Sequence, residues 1–120
     1  MKLIIAGSRT LNLSESFIHE MFLYFDLYPF VDIIISGGAP GVDSAAINFG
    51  EEYRIQVKIF NADWTKDGKA AGPIRNKKMA EFADALLLIW DGESRGSRNM
   101  KEEMKKLNKP IYEVILNRAT

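Results

Sequence analysis

The sequence predicts an α/β domain, a three-layer α/β/α sandwich built on a mainly parallel five-stranded sheet. Three observations predict it. Five short apolar runs recur along the chain, segments of helical length separate them, and the ends of the runs are rich in glycine, serine and charged residues. Runs that are apolar almost throughout are the mark of strands buried on both faces, and parallel strands need helix-length crossovers.

The elements follow in order. Leu3 to Ala6 is the first strand. Ser14 can then cap a helix whose Phe17, Met21 and Phe25 recur at a spacing of four, with Leu13 placed to staple its start and Tyr28-Pro29 to end it. Asp32 to Ser36 is the second strand, and the turn Gly41-Val42-Asp43 opens a helix that carries Ala45, Ala46 and Phe49 towards the sheet. Gln56 to Phe60 is the third strand, expected to be buried on both faces like the others. A long connection follows, and a helix begins near Pro73, a residue suited to a first turn, presenting Met79, Phe82 and Ala83. Ala85 to Trp90 is the fourth strand. The last helix runs from about Ser97, its expected N-cap, to Leu107, is stopped by Asn108 and Pro110, and leads into Ile111 to Ile115. Strands and helices alternate throughout. Joined by right-handed crossovers, they give a Rossmann-like sheet with helices on both faces.

Composition narrows the function. With 120 residues, 47% of them hydrophobic, residues 1–120 make one domain with one core. The 16 basic and 16 acidic side chains cancel, which argues against DNA or an anionic membrane as partner. There is no cysteine and one histidine, His19, which reads as structural, so no metal site is expected. A magnesium ion arriving with a phosphate ligand needs no site of its own. The apolar run at the N-terminus is much shorter than the roughly 20 residues that cross a bilayer, and no signal-peptide pattern is present, so a soluble, cytoplasmic protein is expected.

In parallel sheets, ligands bind beyond the carboxyl ends of the strands, and four loops there carry chemistry. Gly7-Ser8-Arg9-Thr10 offers a close backbone approach with hydroxyl and guanidinium donors. Ser36-Gly37-Gly38-Ala39-Pro40-Gly41-Val42-Asp43 precedes a helix and can aim amides at an anion. It is neither a dinucleotide fingerprint nor a Walker A sequence, because no lysine follows its last glycine. Asp43 either caps that helix or accepts a ribose hydroxyl. The third loop brings Trp64, able to stack on a base, with Lys69, Arg75 and Asn76 for phosphate. Gly96 and Ser97 supply a second helix N-terminus.

Together with Ala71-Gly72-Pro73-Ile74-Arg75-Asn76 and Gly96-Ser97-Arg98-Asn99-Met100, these loops resemble the YspA-like branch of the SLOG superfamily over nearly the whole chain. The resemblance implies a nucleotide or nucleotide-derived, ADP-ribose-like ligand. Its wider circle includes LOG phosphoribohydrolases, molybdenum-cofactor carriers, the DNA-processing protein DprA and sensors of bacterial defence. Arg75 looks like the arginine of the LOG motif, and Gly96-Ser97 like its late Gly-Thr. The glutamate that follows in LOG enzymes is replaced here by Arg98-Asn99-Met100 ahead of Glu102 and Glu103. An oxocarbenium-like transition state calls for a carboxylate near the anomeric carbon.

The leading expectation is therefore a binding protein, acting as sensor, carrier or sequestering module. The alternative is an N-glycosidic hydrolase or transferase acting on a nucleoside monophosphate, with Asp43, Glu102 or Glu103 as the carboxylate and Arg75 on the phosphate. The resemblance also implies a homodimer or higher homo-oligomer.

Overall fold

The computed structural model describes residues 1–116, so the last four residues of the domain expected over 1–120 lie outside the description. Five strands, β1 (Lys2–Gly7), β2 (Ile33–Ser36), β3 (Gln56–Ile59), β4 (Ala85–Trp90) and β5 (Ile111–Ile115), form one sheet in the order β3-β2-β1-β4-β5. Every pairing is parallel. Between them lie α1 (Glu15–Tyr24), α2 (Val42–Tyr53), the four-residue α3 (Trp64–Asp67) with a 3-10 turn (Gly68–Ala70), α4 (Ala71–Phe82) and α5 (Arg95–Lys106).

Strand alternation sorts the core into two layers. Leu3 and Ile5 of β1 and Leu87 and Ile89 of β4 join Ile18, Phe22, Val42 and Phe49 on the face covered by α1 and α2. Ile4, Ala6, Leu86 and Leu88, one residue out of phase, join Met79, Ala80, Met100 and Met104 on the face covered by α4 and α5. This is the expected α/β/α sandwich with a Rossmann-like parallel sheet. No helix among the described residues is long and apolar enough to cross a membrane.

Four sequence expectations shift. The α1 stripe is buried through Ile18 and Phe22, whereas Phe17, Met21 and Phe25 pack at its margin. That helix stops at Tyr24, short of Tyr28-Pro29, because Asp26 turns the backbone to a φ of 54°. Strand β3 ends up on the sheet edge with Gln56, Lys58 and Ile59 exposed, so it is not buried on both faces. The long connection before α4 is not open loop; it folds into α3 and the 3-10 turn.

The strand order locates the crevice. Chain winding runs outward from β1 to β2 and β3, then returns to set β4 against the other side of β1. At that reversal the crossovers leave neighbouring strands in opposite directions, and the gap opens beyond their carboxyl ends. Gly7 and Trp90 end those two strands.

Candidate functional site

The loops after β1 and β4 are tied together before any ligand arrives. Ser8 is buried, and its Oγ accepts from the Asp91 amide at 3.0 Å. A Cβ on Gly7 would stand 1.7 Å from the Ile89 carbonyl oxygen, so glycine here is imposed by the contact of β1 with β4. Gly41 has a φ of 79°, and a Cβ there would lie 2.4 Å from the Ser8 carbonyl oxygen. The glycine-rich loop is thereby pressed onto the first loop.

That loop bonds mostly to itself. The Gly38 amide donates to Ser36 Oγ at 3.2 Å, Ser36 Oγ donates to the Asp43 carbonyl at 3.0 Å, and the Ala39 amide donates to Asp43 Oδ2 at 3.3 Å. The Val42 amide is turned towards Ser8 O at 3.4 Å. Asp43 is not the N-cap of α2; Gly41 holds that position without a side-chain bond.

Asp43, 5% exposed, faces a small chamber of about 90 Å³ floored by Ala6, Met79 and Met100. Burial pushes its carboxyl up to about 6, outweighing the Ala39 amide and the nearby Arg75 and Arg9 guanidinium groups, which pull it down. Arg75 is held beside it: Nη1 donates to Gly37 O at 2.7 Å and Nε to Asn76 Oδ1 at 3.0 Å. Burial lowers the Arg75 pKa, opposed by Asp43. Buried Asn76 in turn donates to Gly96 O at 3.2 Å and Asn99 Oδ1 at 2.9 Å, locking α4 to α5.

The chamber's last wall is the first turn of α5. Ser94, not Ser97, is the N-cap: its Oγ accepts from the Ser97 amide at 3.4 Å, and the Asp91 carboxylate fixes the turn by accepting from the Ser94 amide at 3.0 Å. Released from capping, Ser97 is 3% exposed, and its Oγ has no hydrogen-bond partner among the described residues. A buried hydroxyl without a partner costs free energy. Here it lines the chamber.

Arg9, Arg75, Asn76 and Gly96 continue outward into a second cavity of about 360 Å³, bordered by Trp64, Lys69, Pro73 and Arg95. Trp64 is 54% exposed and leans over Gly72, whose Cβ position lies 3.5 Å from its Cη2. Thr10 lines a separate depression with Arg9, Asp91, Glu93 and Ser94.

Among known proteins, the chain is 32% identical over 89 residues to the Gene 61 protein of Mycobacterium phage D29, covering 69% of this chain and 71% of that protein. The chain belongs to the Gene 61 protein family. No protein-family model matches it, and no solved structure does. The relative's name states neither ligand nor reaction, so the chemistry of this Gene 61 family member is read from its own cleft.

Of the residues expected at the site, the fold of this Gene 61 family member brings Gly7, Arg9, Ala39, Asp43, Arg75, Asn76, Gly96 and Ser97 around the inner chamber, and Trp64 to the outer cavity. Ser8, Ser36, Gly37, Gly38, Gly41 and Val42 line neither cavity and serve as framework behind them. Glu102 is not brought to the chamber; it borders a separate surface groove with Trp90 and Arg98. Glu103 pairs with Lys106 at 3.5 Å. Sequence reading missed the Met79 and Met100 floor, the Ser94 cap and Arg95. Only Ser94 had a local signal, a serine directly ahead of a helical segment.

Proposed function

We propose that this protein binds a phosphate-bearing, nucleotide-derived small molecule in the two-part cleft, acting in the cytoplasm as a sensor, carrier or sequestering protein of the YspA-like SLOG type. The observation that carries the reading is the mouth of the cleft, where Arg9, Lys69, Arg75 and Arg95 gather with no acidic residue in the lining, outside a chamber lined by the unpartnered buried hydroxyl of Ser97. Cations gathered without a counter-charge favour an anion, a buried hydroxyl without a partner favours a hydrogen-bonding ligand, and the exposed face of Trp64 suits a base. Calorimetric titration with nucleoside mono- and diphosphates and ADP-ribose tests it. Binding at micromolar concentrations that Arg75→Ala weakens at least tenfold supports the reading; absence of binding across the panel overturns it.

One observation favours a second reading, N-glycosidic hydrolysis or transfer. Asp43 places a carboxyl in the chamber, with a pKa raised to about 6, where a general acid or base operates near neutrality. In this reading Asp43 alone supplies the carboxylate, since Glu102 and Glu103 point elsewhere. Free base released from a nucleoside monophosphate, and lost in Asp43→Asn, supports it. Binding without any base release rules it out.

A further inference from the structure

The two halves of the cleft differ in chemistry, and the difference orients the ligand. The inner chamber alone takes the Asp43 carboxyl, an acceptor when ionised, and the hydroxyls of Ser94 and Ser97, with the apolar side chains of Ala6, Met79 and Met100, while Arg9, Arg75 and Asn76 line both halves. Buried acceptors over a thioether floor fit a carbon skeleton carrying hydroxyl groups. A phosphate can reach the shared Arg9 and Arg75 guanidinium groups from the outer side, whereas deeper in it would lose its hydration and meet the Asp43 carboxylate.

Outside, the lining is cationic. Arg9, Lys69, Arg75 and Arg95 border the outer cavity, and no acidic residue does. Among the described residues, no salt bridge engages Arg9, Lys69 or Arg95. Asp91 and Glu93 line a separate depression, which they share with Arg9, Thr10 and Ser94. Arg95 also occupies the first position of α5, where the helix dipole disfavours a cation, and the first turn itself holds no acidic residue. A chain with zero net charge thus gathers four cations at one mouth.

We infer that the cleft binds a sugar phosphate moiety with its hydroxyl-bearing edge inward, on Asp43 and Ser97, and its phosphate outward, on the ring of Arg9, Lys69, Arg75 and Arg95. This rests on the nucleotide reading above and specifies which end of the ligand enters first. Asp43 and Ser97 then determine specificity for the sugar, while the cations determine affinity for the phosphate.

The test titrates the full chain by calorimetry with AMP, with AMP lacking both ribose hydroxyls, and with inorganic phosphate. The proteins are the wild type, Asp43→Asn, Ser97→Ala and the double variant Lys69→Gln/Arg95→Gln. Removing the hydroxyls is expected to weaken binding to the wild type about tenfold or more, the scale of lost bonds to a charged group. Asp43→Asn and Ser97→Ala should each shrink that ratio. The double variant should weaken both forms of AMP by a common factor and leave the ratio intact. Equal binding of AMP and its deoxygenated form to the wild type overturns the inference. So does a tenfold gain of inorganic phosphate affinity in Asp43→Asn, which would put the phosphate inside. If one of the two inner variants fails to fold, the other still reports the ratio. AMP that does not bind the wild type at all overturns the nucleotide reading and this one with it.

Discussion

Replacing Asp43 by asparagine should stabilise the protein, and by an amount that depends on pH. The carboxyl is 5% exposed, and burial raises its pKa from 3.8 to about 6. Well below pH 3.8 it is protonated in both the folded and unfolded chain and costs nothing extra. Between these values the folded state holds a proton that the unfolded state has released, so the contribution of this group to stability falls as pH rises. Above about pH 6 both states are ionised and the full cost of the buried charge is present, about 3 kcal/mol at 1.36 kcal/mol per pH unit. Asparagine keeps the shape and can still accept the Ala39 amide bond. Urea denaturation of wild type and Asp43→Asn from pH 4 to pH 8 yields the difference directly, free of the other carboxylates common to both. The difference should grow in favour of Asp43→Asn by about 2.5 kcal/mol across that range, since a small part of the cost is already present at pH 4. A flat difference, or one that grows in favour of the wild type, would refute the reasoning: Arg75 and Arg9 would then outweigh desolvation.

Other substitutions read different parts of the structure. Ser97→Ala should raise stability by about 1 kcal/mol in thermal or urea denaturation, since it removes a buried hydroxyl without a partner, while weakening nucleotide binding; loss of stability would show that the hydroxyl is satisfied. Lys109→Met should cost about 1–3 kcal/mol, because Lys109 Nζ donates to the carbonyls of Ala80, Glu81 and Ala83 at 2.7, 3.2 and 2.7 Å and closes the end of α4. A denaturation midpoint unchanged from wild type would contradict that role. Gly7→Ala should leave little folded protein by circular dichroism, given the 1.7 Å approach of its Cβ position to Ile89 O; a variant as stable as wild type would mean that β1 and β4 separate easily.

The sequence carries the architecture because each apolar run and each helix stripe is a local pattern, and local patterns survive without knowledge of neighbours. Where the pattern is ambiguous, only the tertiary packing decides. Helix α1 offers two adjacent stripes, Phe17-Met21-Phe25 and Ile18-Phe22, and the sheet selects the second. Strand β3 illustrates the opposite error. Gln56 and Lys58 alternate with Val57 and Ile59, a period-two signal of incomplete burial that was there to be read. Its place at the edge follows from the strand order, which no single segment encodes. Ser94 displaces Ser97 as cap because Asp91 turns the chain three residues earlier, a contact between loop and helix start that composition does not reveal.

The same distinction applies to the glycine-rich loop, the strongest motif in the chain. Its composition suggested amides free to cradle an anion. In the structure the amides of Gly38 and Ala39 are taken by Ser36 and Asp43, and Val42 turns to Ser8. What the loop delivers to the cleft is side chains. It buries the Asp43 carboxyl at the chamber wall and offers Gly37 O to hold Arg75. An anion-binding nest would need those amides released, at the cost of three bonds, one of which, from Ala39, holds the Asp43 carboxylate in the chamber. In the proposed site the loop acts through Asp43 and by holding Arg75, and the attraction for phosphate falls to the ring of cations that borders the outer cavity.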